Sequence, residues 1–255
     1  MRSDQDPGLA LRISEADRAG LIALVLESAS AFTEREALRC LRHPFSSAQV
    51  VEAIASVRSL RSASSVRKAI ALHPAAPRVD ALRCLDDLGW RDLLDVGRET
   101  RTPAPVRRAA NRKVVEKLPR LSSGERMTLA RLADRDLVRP LLADPDRGVF
   151  SALLRNPRLI LEDVVAFAST GTPLPEHLAL LAADAVWRDR PPLRRALLRS
   201  ARTPRFAVVT LLPHASREEL RDLVEDPSVD RFVRACASRL LEEGAPVIDR
   251  TRSEV

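Results

Sequence analysis

The chain has 255 residues, 45% apolar and 30% charged, a balance that excludes an intrinsically disordered polymer and fits one large or two small folded domains. Its formal net charge of +7 is carried by arginine, because lysine occurs only at Lys68, Lys113 and Lys117. Such a charge favours nucleic acid, an anionic surface or an acidic protein as partner, although Ala, Arg, Leu and Pro enrichment is also what a GC-rich coding sequence produces. Aromatic residues make up 3% with no tyrosine, and the predominance of Leu, Ala, Val and Arg favours helices over strands.

From the N-terminus, residues 1–9 contain Asp4, Asp6 and Pro7 and lack the apolar core of a leader peptide. The apolar run at 21–26 is too short to span a bilayer, so no membrane span and a cytoplasmic setting are expected. Residues 1–11 are expected to be disordered, 12–244 to form a single helical-repeat domain with 12–42 as its N-terminal cap, and 245–255 to be a flexible tail. Ser14 with Glu15 and Asp17 predicts the start of a helix running to Ser28, in which Leu21, Ile22, Leu24, Val25 and Leu26 form a nearly all-round apolar surface suited to burial. Thr33 and Glu36 form a capping box opening a helix over 34–41, and Ser216 with Glu218 and Glu219 predicts another over 219–224. Eight dipeptides of a polar residue before proline, from His43-Pro44 and His73-Pro74 to Thr203-Pro204 and Asp226-Pro227, mark helix breaks.

Between these breaks the chain repeats itself. Residues 66–117 return at 193–244 without a gap: Pro77 falls on Pro204, and 204 − 77 = 127. The same offset carries Arg67 onto Arg194, Leu85 onto Leu212, Leu93 onto Leu220, Val106 onto Val233 and Ala110 onto Ala237. Apolar character is also kept at Val79 and Phe206 and at Leu82 and Val209, with Val79, Leu82 and Leu85 forming one stripe. A weaker copy, Val149, Ala152, Leu153, Asn156 and Pro157, lies between them. Self-similar helical units bury their apolar faces on neighbours, and the fold class expected is all-α, a right-handed α-solenoid of short helical repeats.

The segments VRKAIALHPAAPRVDALRCL, VFSALLRNPRLILEDVVAFA and LRRALLRSARTPRFAVVTLL resemble the leucine-rich repeat variant, whose units run through valine-arginine, alanine, asparagine-proline, threonine-proline and leucines. LADPDRGVFSAL and VEDPSVDRFVRACA resemble the opening of a HEAT-type second helix, and the likeness spans roughly residues 35–243. The leucine-rich repeat variant prototype carries an iron–sulfur cluster on clustered cysteines. Here only Cys40 precedes residue 80 and there is no C-x-x-C, so no cofactor is carried over. Cys40, Cys84 and Cys236 are too scattered for a disulfide framework or a metal site, which fits a reducing compartment.

Signals of catalysis are missing: no phosphate-cradling glycine loop and no nucleophile elbow occur. The adjacent acids Asp86-Asp87, Glu162-Asp163, Glu218-Glu219 and Glu242-Glu243 point to different sides of a helix and read as caps or solvated faces. His43 and His73 have Asn156 and Ser200 at equivalent positions, which asks for a small polar group rather than a metal ligand; His177 and His214 lack ligand spacing. Two features could serve binding. Arg67, Arg107, Arg194 and Arg234, extended by Lys68, Arg108 and Arg195, recur after the first aliphatic residue of a helix and would form a ladder. That ladder reads either as a basic strip for a phosphate backbone or as structural bonds to carbonyls and to acids such as Asp144 and Asp226. In length, charge and helical repeats the chain is similar to HEAT-like DNA glycosylases, whose concave face carries tryptophans, an aspartate and basic residues; no catalytic position is carried over. Trp90 and Trp187, each near an acid (Asp92, Asp189), have a helical spacing that suits core packing. The reading that follows is a non-catalytic scaffold that binds a protein partner or an acidic surface through the face of the solenoid, tested first at these arginines. The alternative is a nucleic-acid-binding protein, with Trp90, Trp187 and Asp189 near a base-excision site.

Overall fold

A computed structural model describes residues 7–170 and 172–243, and every regular element among them is helical. The chain divides into two compact units, Met1–Leu121 and Ser122–Val255. The first contains α1 (Pro7–Glu15), α2 (Arg18–Ser28), α3 (Glu34–Arg42), α4 (Ala48–Ser56), α5 (Arg58–Ser62), α6 (Ser64–Leu72), α7 (Arg78–Cys84), α8 (Trp90–Arg98) and α9 (Ala104–Lys117). Packing follows chain order: α1 lies on α3, α3 on α6 and α6 on α8, while α2 lies on α4 and α7 on α9. The second contains α10 (Ser123–Leu132), α11 (Arg135–Leu142), α12 (Arg147–Leu153), α13 (Leu161–Ser169), α14 (Pro175–Ala183), α15 (Ala185–Arg188), α16 (Pro191–Arg199), α17 (Arg205–Leu211), α18 (Arg217–Glu225) and α19 (Arg231–Glu242). There α10 lies on α12, α12 on α14, α14 on α17 and α17 on α19, with α13 on α16. None of these helices is long and apolar enough to cross a membrane.

The internal repeat is visible in the helix boundaries. Adding 127 to the ends of α6, α7 and α8 gives those of α16, α17 and α18, and α9 and α19 start at equivalent residues (104 + 127 = 231). One copy lies in each unit. Burial repeats too: Val66 and Leu193, Ile70 and Leu197, Cys84 and Leu211, Val96 and Leu223, and Ala110 and Ala237 are all core residues. Val79 and Phe206 behave differently. They are 66% and 68% exposed, as is Val209 at 54%, because α7 and α17 turn Ala81, Cys84 and Ala207, Val208, Leu211 inward instead. A seven-residue helix has two turns, enough to bury one narrow stripe and leave the next apolar position outside.

Local chemistry sets the starts and stops. The Thr33–Glu36 and Ser216–Glu219 capping boxes form, opening α3 and α18. A third, Ser122–Glu125, opens α10. The start expected at Ser14 lies elsewhere: Ser14 belongs to α1 and donates to the Leu11 carbonyl, while Asp17 caps α2 by accepting the Gly20 N–H at 2.7 Å. The carboxylate at Asp17 satisfies an orphan helix donor that the Ser14 hydroxyl, turned back on its own helix, does not reach. α2 is also less enclosed than its composition suggests, with Leu26 66% exposed. α1 reaches into the stretch expected to be disordered, since it begins at Pro7; residues 1–6 and the tail from 244 lie outside the described residues.

Five of the eight proline breaks share a device. His43 Nδ1 accepts the Phe45 N–H, His73 Nδ1 that of Ala75, Asn156 Oδ1 that of Arg158 and Asp226 Oδ1 that of Ser228, at 2.8–3.2 Å. Asp144 treats the Asp146 N–H in the same way. Proline itself has no N–H, so the first donor after the break is two residues on, within reach of a short polar side chain. Asn156 further donates to the Ala130 and Ala133 carbonyls at 2.7 and 3.0 Å, tying its turn to the end of α10.

Candidate functional site

The ladder arginines are engaged with the protein's own backbone and acids. Arg67 Nη1 donates to the Arg61 carbonyl at 3.3 Å, Arg107 Nη1 to those of Thr100 and Thr102 at 2.9 and 3.3 Å, and Arg234 Nε to that of Val229 at 3.1 Å. Each sits in the first turns of a helix and folds back on carbonyls five to seven residues earlier, left unpaired where the preceding segment ends. Arg61 does the same to Ala55. Arg194 is buried and reaches Glu219 Oε2 from Nη2 at 2.7 Å. Lys68 pairs with Asp92 at 2.9 Å and also with Asp95; its exposed counterpart Arg195 lies 3.6 Å from Glu219. Lys68 is held above its ordinary pKa because these acids outweigh the desolvation that opposes them. Arg108 is exposed and makes no polar contact among the described residues.

Neither tryptophan stands free. Trp90 is 8% and Trp187 9% exposed; Trp187 Nε1 donates to the Leu154 carbonyl at 3.4 Å, and the Arg91 guanidinium stacks over Trp90 at 5.1 Å. Asp189 lies 3.6 Å from Arg188 and 3.7 Å from His214. Two of the adjacent acid pairs diverge, with Asp163 and Glu219 buried on Arg135 and Arg194 and Glu162 and Glu218 facing solvent, while both members of Asp86-Asp87 and of Glu242-Glu243 are exposed. Asp144 and Asp226 do pair with arginines, but with Arg126 and Arg199 rather than the ladder. His177 is buried and stacked on Phe150 with ring centroids 4.2 Å apart, and burial lowers its pKa. It lines a cavity of about 470 Å³ with Phe167, Leu174 and Asp163. Burial raises the thiols of Cys40 and Cys84, with nearby Glu36 and Asp80 adding to it, to about 12 and about 11, which leaves both protonated and unreactive.

Exposed arginines with no polar partner among the described residues occur along the whole chain, among them Arg12, Arg58, Arg78, Arg112, Arg147 and Arg221. Arg35, Arg39 and Arg42 recur at helical spacing along α3, all exposed, and none has a polar partner among the described residues. They line a trough of about 1420 Å³ against α1, floored by Leu11, Ile13, Leu38 and Phe45. A second trough of about 680 Å³ begins at the same Arg42, His43 and Pro44 and runs past Leu72 and Pro74. This stripe lies outside the two repeat copies at 66–117 and 193–244, so the internal repeat does not point to it. The signal was present in EREALRCLR, where three arginines share one face behind a capping box.

No protein-family model matches the chain, and no curated protein or solved structure does. Among the described residues the protein is all-helical, with helices that pack on their neighbours.

Proposed function

We propose that the protein is a non-catalytic binding scaffold, a right-handed α-solenoid of short HEAT-like or leucine-rich-repeat-variant-like repeats that holds an acidic protein segment in a reducing cytoplasm. The observation that carries this reading is the division among the arginines. Arg67, Arg107, Arg194 and Arg234 are spent on carbonyls and on buried Glu219, while Arg35, Arg39 and Arg42 stand exposed along an apolar trough that Glu15, Asp17 and Glu34 also line. Cations beside an apolar floor suit a ligand with both carboxylates and aliphatic groups. Burial of Trp90 and Trp187 supports packing roles for both and leaves few ring faces for bases.

Labelled polyglutamate and a labelled single-stranded oligonucleotide, titrated by anisotropy between about 50 and 200 mM salt, test the reading. Tighter binding of polyglutamate is expected. Binding of the oligonucleotide alone, weakening by orders of magnitude over that salt range, would replace it with the nucleic-acid alternative.

A further inference from the structure

The cavity beside His177 lies within the second unit, between the end of α11, α13 and the start of α14. Leu142, Phe167 and Leu174 give it apolar walls, and its volume of about 470 Å³ falls in the roughly 300–1,000 Å³ range of small-molecule sites. Its described lining holds two charged side chains, Arg139 and Asp163. Asp163 is buried, and both of its oxygens already accept from the guanidinium group of Arg135, which is not part of the lining. Arg139 is exposed and makes no polar contact among the described residues, so the one uncommitted charge at the cavity is positive.

The neutral polar groups narrow the choice of ligand. Thr170 donates to the Phe167 carbonyl at 2.8 Å, so the 2.9 Å contact between the Thr170 and Thr172 hydroxyls takes its proton from Thr172. Both hydroxyl protons are thus spent inside the protein, and only lone pairs remain for a ligand. Burial lowers the pKa of His177 and keeps its ring neutral. Its Nε2 is buried without a hydrogen-bond partner, the kind of gap that a bound polar group closes. We infer that this cavity binds a small organic monocarboxylate, with its carboxylate on Arg139 and an apolar body against Leu142, Phe167 and Leu174. A guanidinium group meets a carboxylate with two parallel N–H bonds. A phosphate would bring more charge and more acceptors than one guanidinium group can meet where the hydroxyl protons are already used. An aspartate or glutamate side chain of a protein partner has the carboxylate but only a short aliphatic stem behind it, too little to cover these walls. The site is therefore separate from the one proposed above for an acidic segment.

The test is calorimetric titration of the full chain with naphthoate, with naphthylmethanol, acetate and polyglutamate as comparison ligands. Two variants are made at exposed lining positions: Arg139→Gln, which removes the charge, and Ala166→Phe, which places a ring in the cavity. Circular dichroism checks that each keeps wild-type helicity. Naphthoate is expected to bind the wild type saturably, about tenfold more weakly with Arg139→Gln, and not measurably with Ala166→Phe. Naphthylmethanol and acetate should each bind more weakly than naphthoate, and Arg139→Gln should leave naphthylmethanol unchanged. No saturable binding of naphthoate, or binding that neither variant weakens, overturns the site while leaving the acid-binding reading in place. Naphthylmethanol binding as tightly as naphthoate overturns the role of Arg139, and acetate doing so overturns that of the apolar walls. Polyglutamate that displaces naphthoate overturns the small ligand and gives the cavity to an acidic chain.

Discussion

The two copies of the repeat share their helix boundaries yet solve the same packing problem with different side chains. On equivalent helices, Lys68 and Asp92 in the first unit and Arg195 and Glu219 in the second form the same ion pair, at 2.9 and 3.6 Å. Glu219 is one methylene longer than Asp92, and it also takes the buried Arg194. Arg67, facing the shorter acid, turns instead to the carbonyls of Arg61 and Asp87. A second difference lies one turn further on. Gly97 in α8 allows close approach of Asn111 in α9: a Cβ on Gly97 would meet Asn111 Oδ1 at 2.1 Å. The second unit has Val224 and Ser238 there, so bulk has moved from one helix to its neighbour. Architecture is thus shared at the level of helix ends and core stripes, while ion pairs and close contacts are negotiated locally.

The largest expected effect is at Arg194. Replacing it with methionine leaves buried Glu219 short of its closest partner and should cost about 3 kcal/mol of unfolding free energy, whereas Arg67→Met loses neutral carbonyl bonds worth about 1 kcal/mol. Urea denaturation of the two variants compares them; equal losses would break the contrast between the copies. Next comes Gly97→Val, which overpacks the α8–α9 contact and should cost about 2 kcal/mol. Adding Asn111→Ser, the combination that the second copy carries, should recover at least half of that. No recovery in thermal unfolding would mean that the two contacts are not interchangeable.

Much of this was legible beforehand. The register of 127 is read directly from the residues, and the helix breaks at the eight polar-proline pairs given above and two of the capping boxes follow from local chemistry. Arg139-Pro140, inside α11, is a pair that does not break its helix. The equivalence of His73 and Asn156 pointed to a small polar group, and both accept the N–H two residues on. Less legible was anything depending on helix phase. Val79 and Phe206 sit on an apolar stripe yet face solvent, since which stripe of a short helix turns inward is decided by its neighbours. The start of α2 at Asp17 rather than Ser14 turned on a competition between two acceptable caps. For the ladder arginines, recurrence revealed a common structural position but could not say whether the charge was available. That depended on carbonyls five to seven residues away.

A smaller effect should appear with pH. Burial lowers the pKa of His73, whose Nδ1 must be unprotonated to accept the Ala75 N–H. Its folded-state pKa lies below the unfolded value, so the unfolded chain binds protons first. The stability that neutral His73 provides is present above about pH 6.5 and declines as pH falls below it. His73→Asn keeps the acceptor, as Asn156 does, without the titration. Between pH 7.5 and 5, wild type should therefore lose more stability than the variant in denaturant midpoints; parallel losses would remove His73 from the account.

The central claim is that the repeat's arginines hold the fold while others face the ligand. The most direct measurement is the affinity of labelled polyglutamate for a folded Arg67→Met, Arg107→Met double variant. Affinity within about twofold of wild type is the result predicted, because both side chains are committed to backbone carbonyls. A tenfold loss, about 1.4 kcal/mol, would contradict it and return the ladder to the binding face.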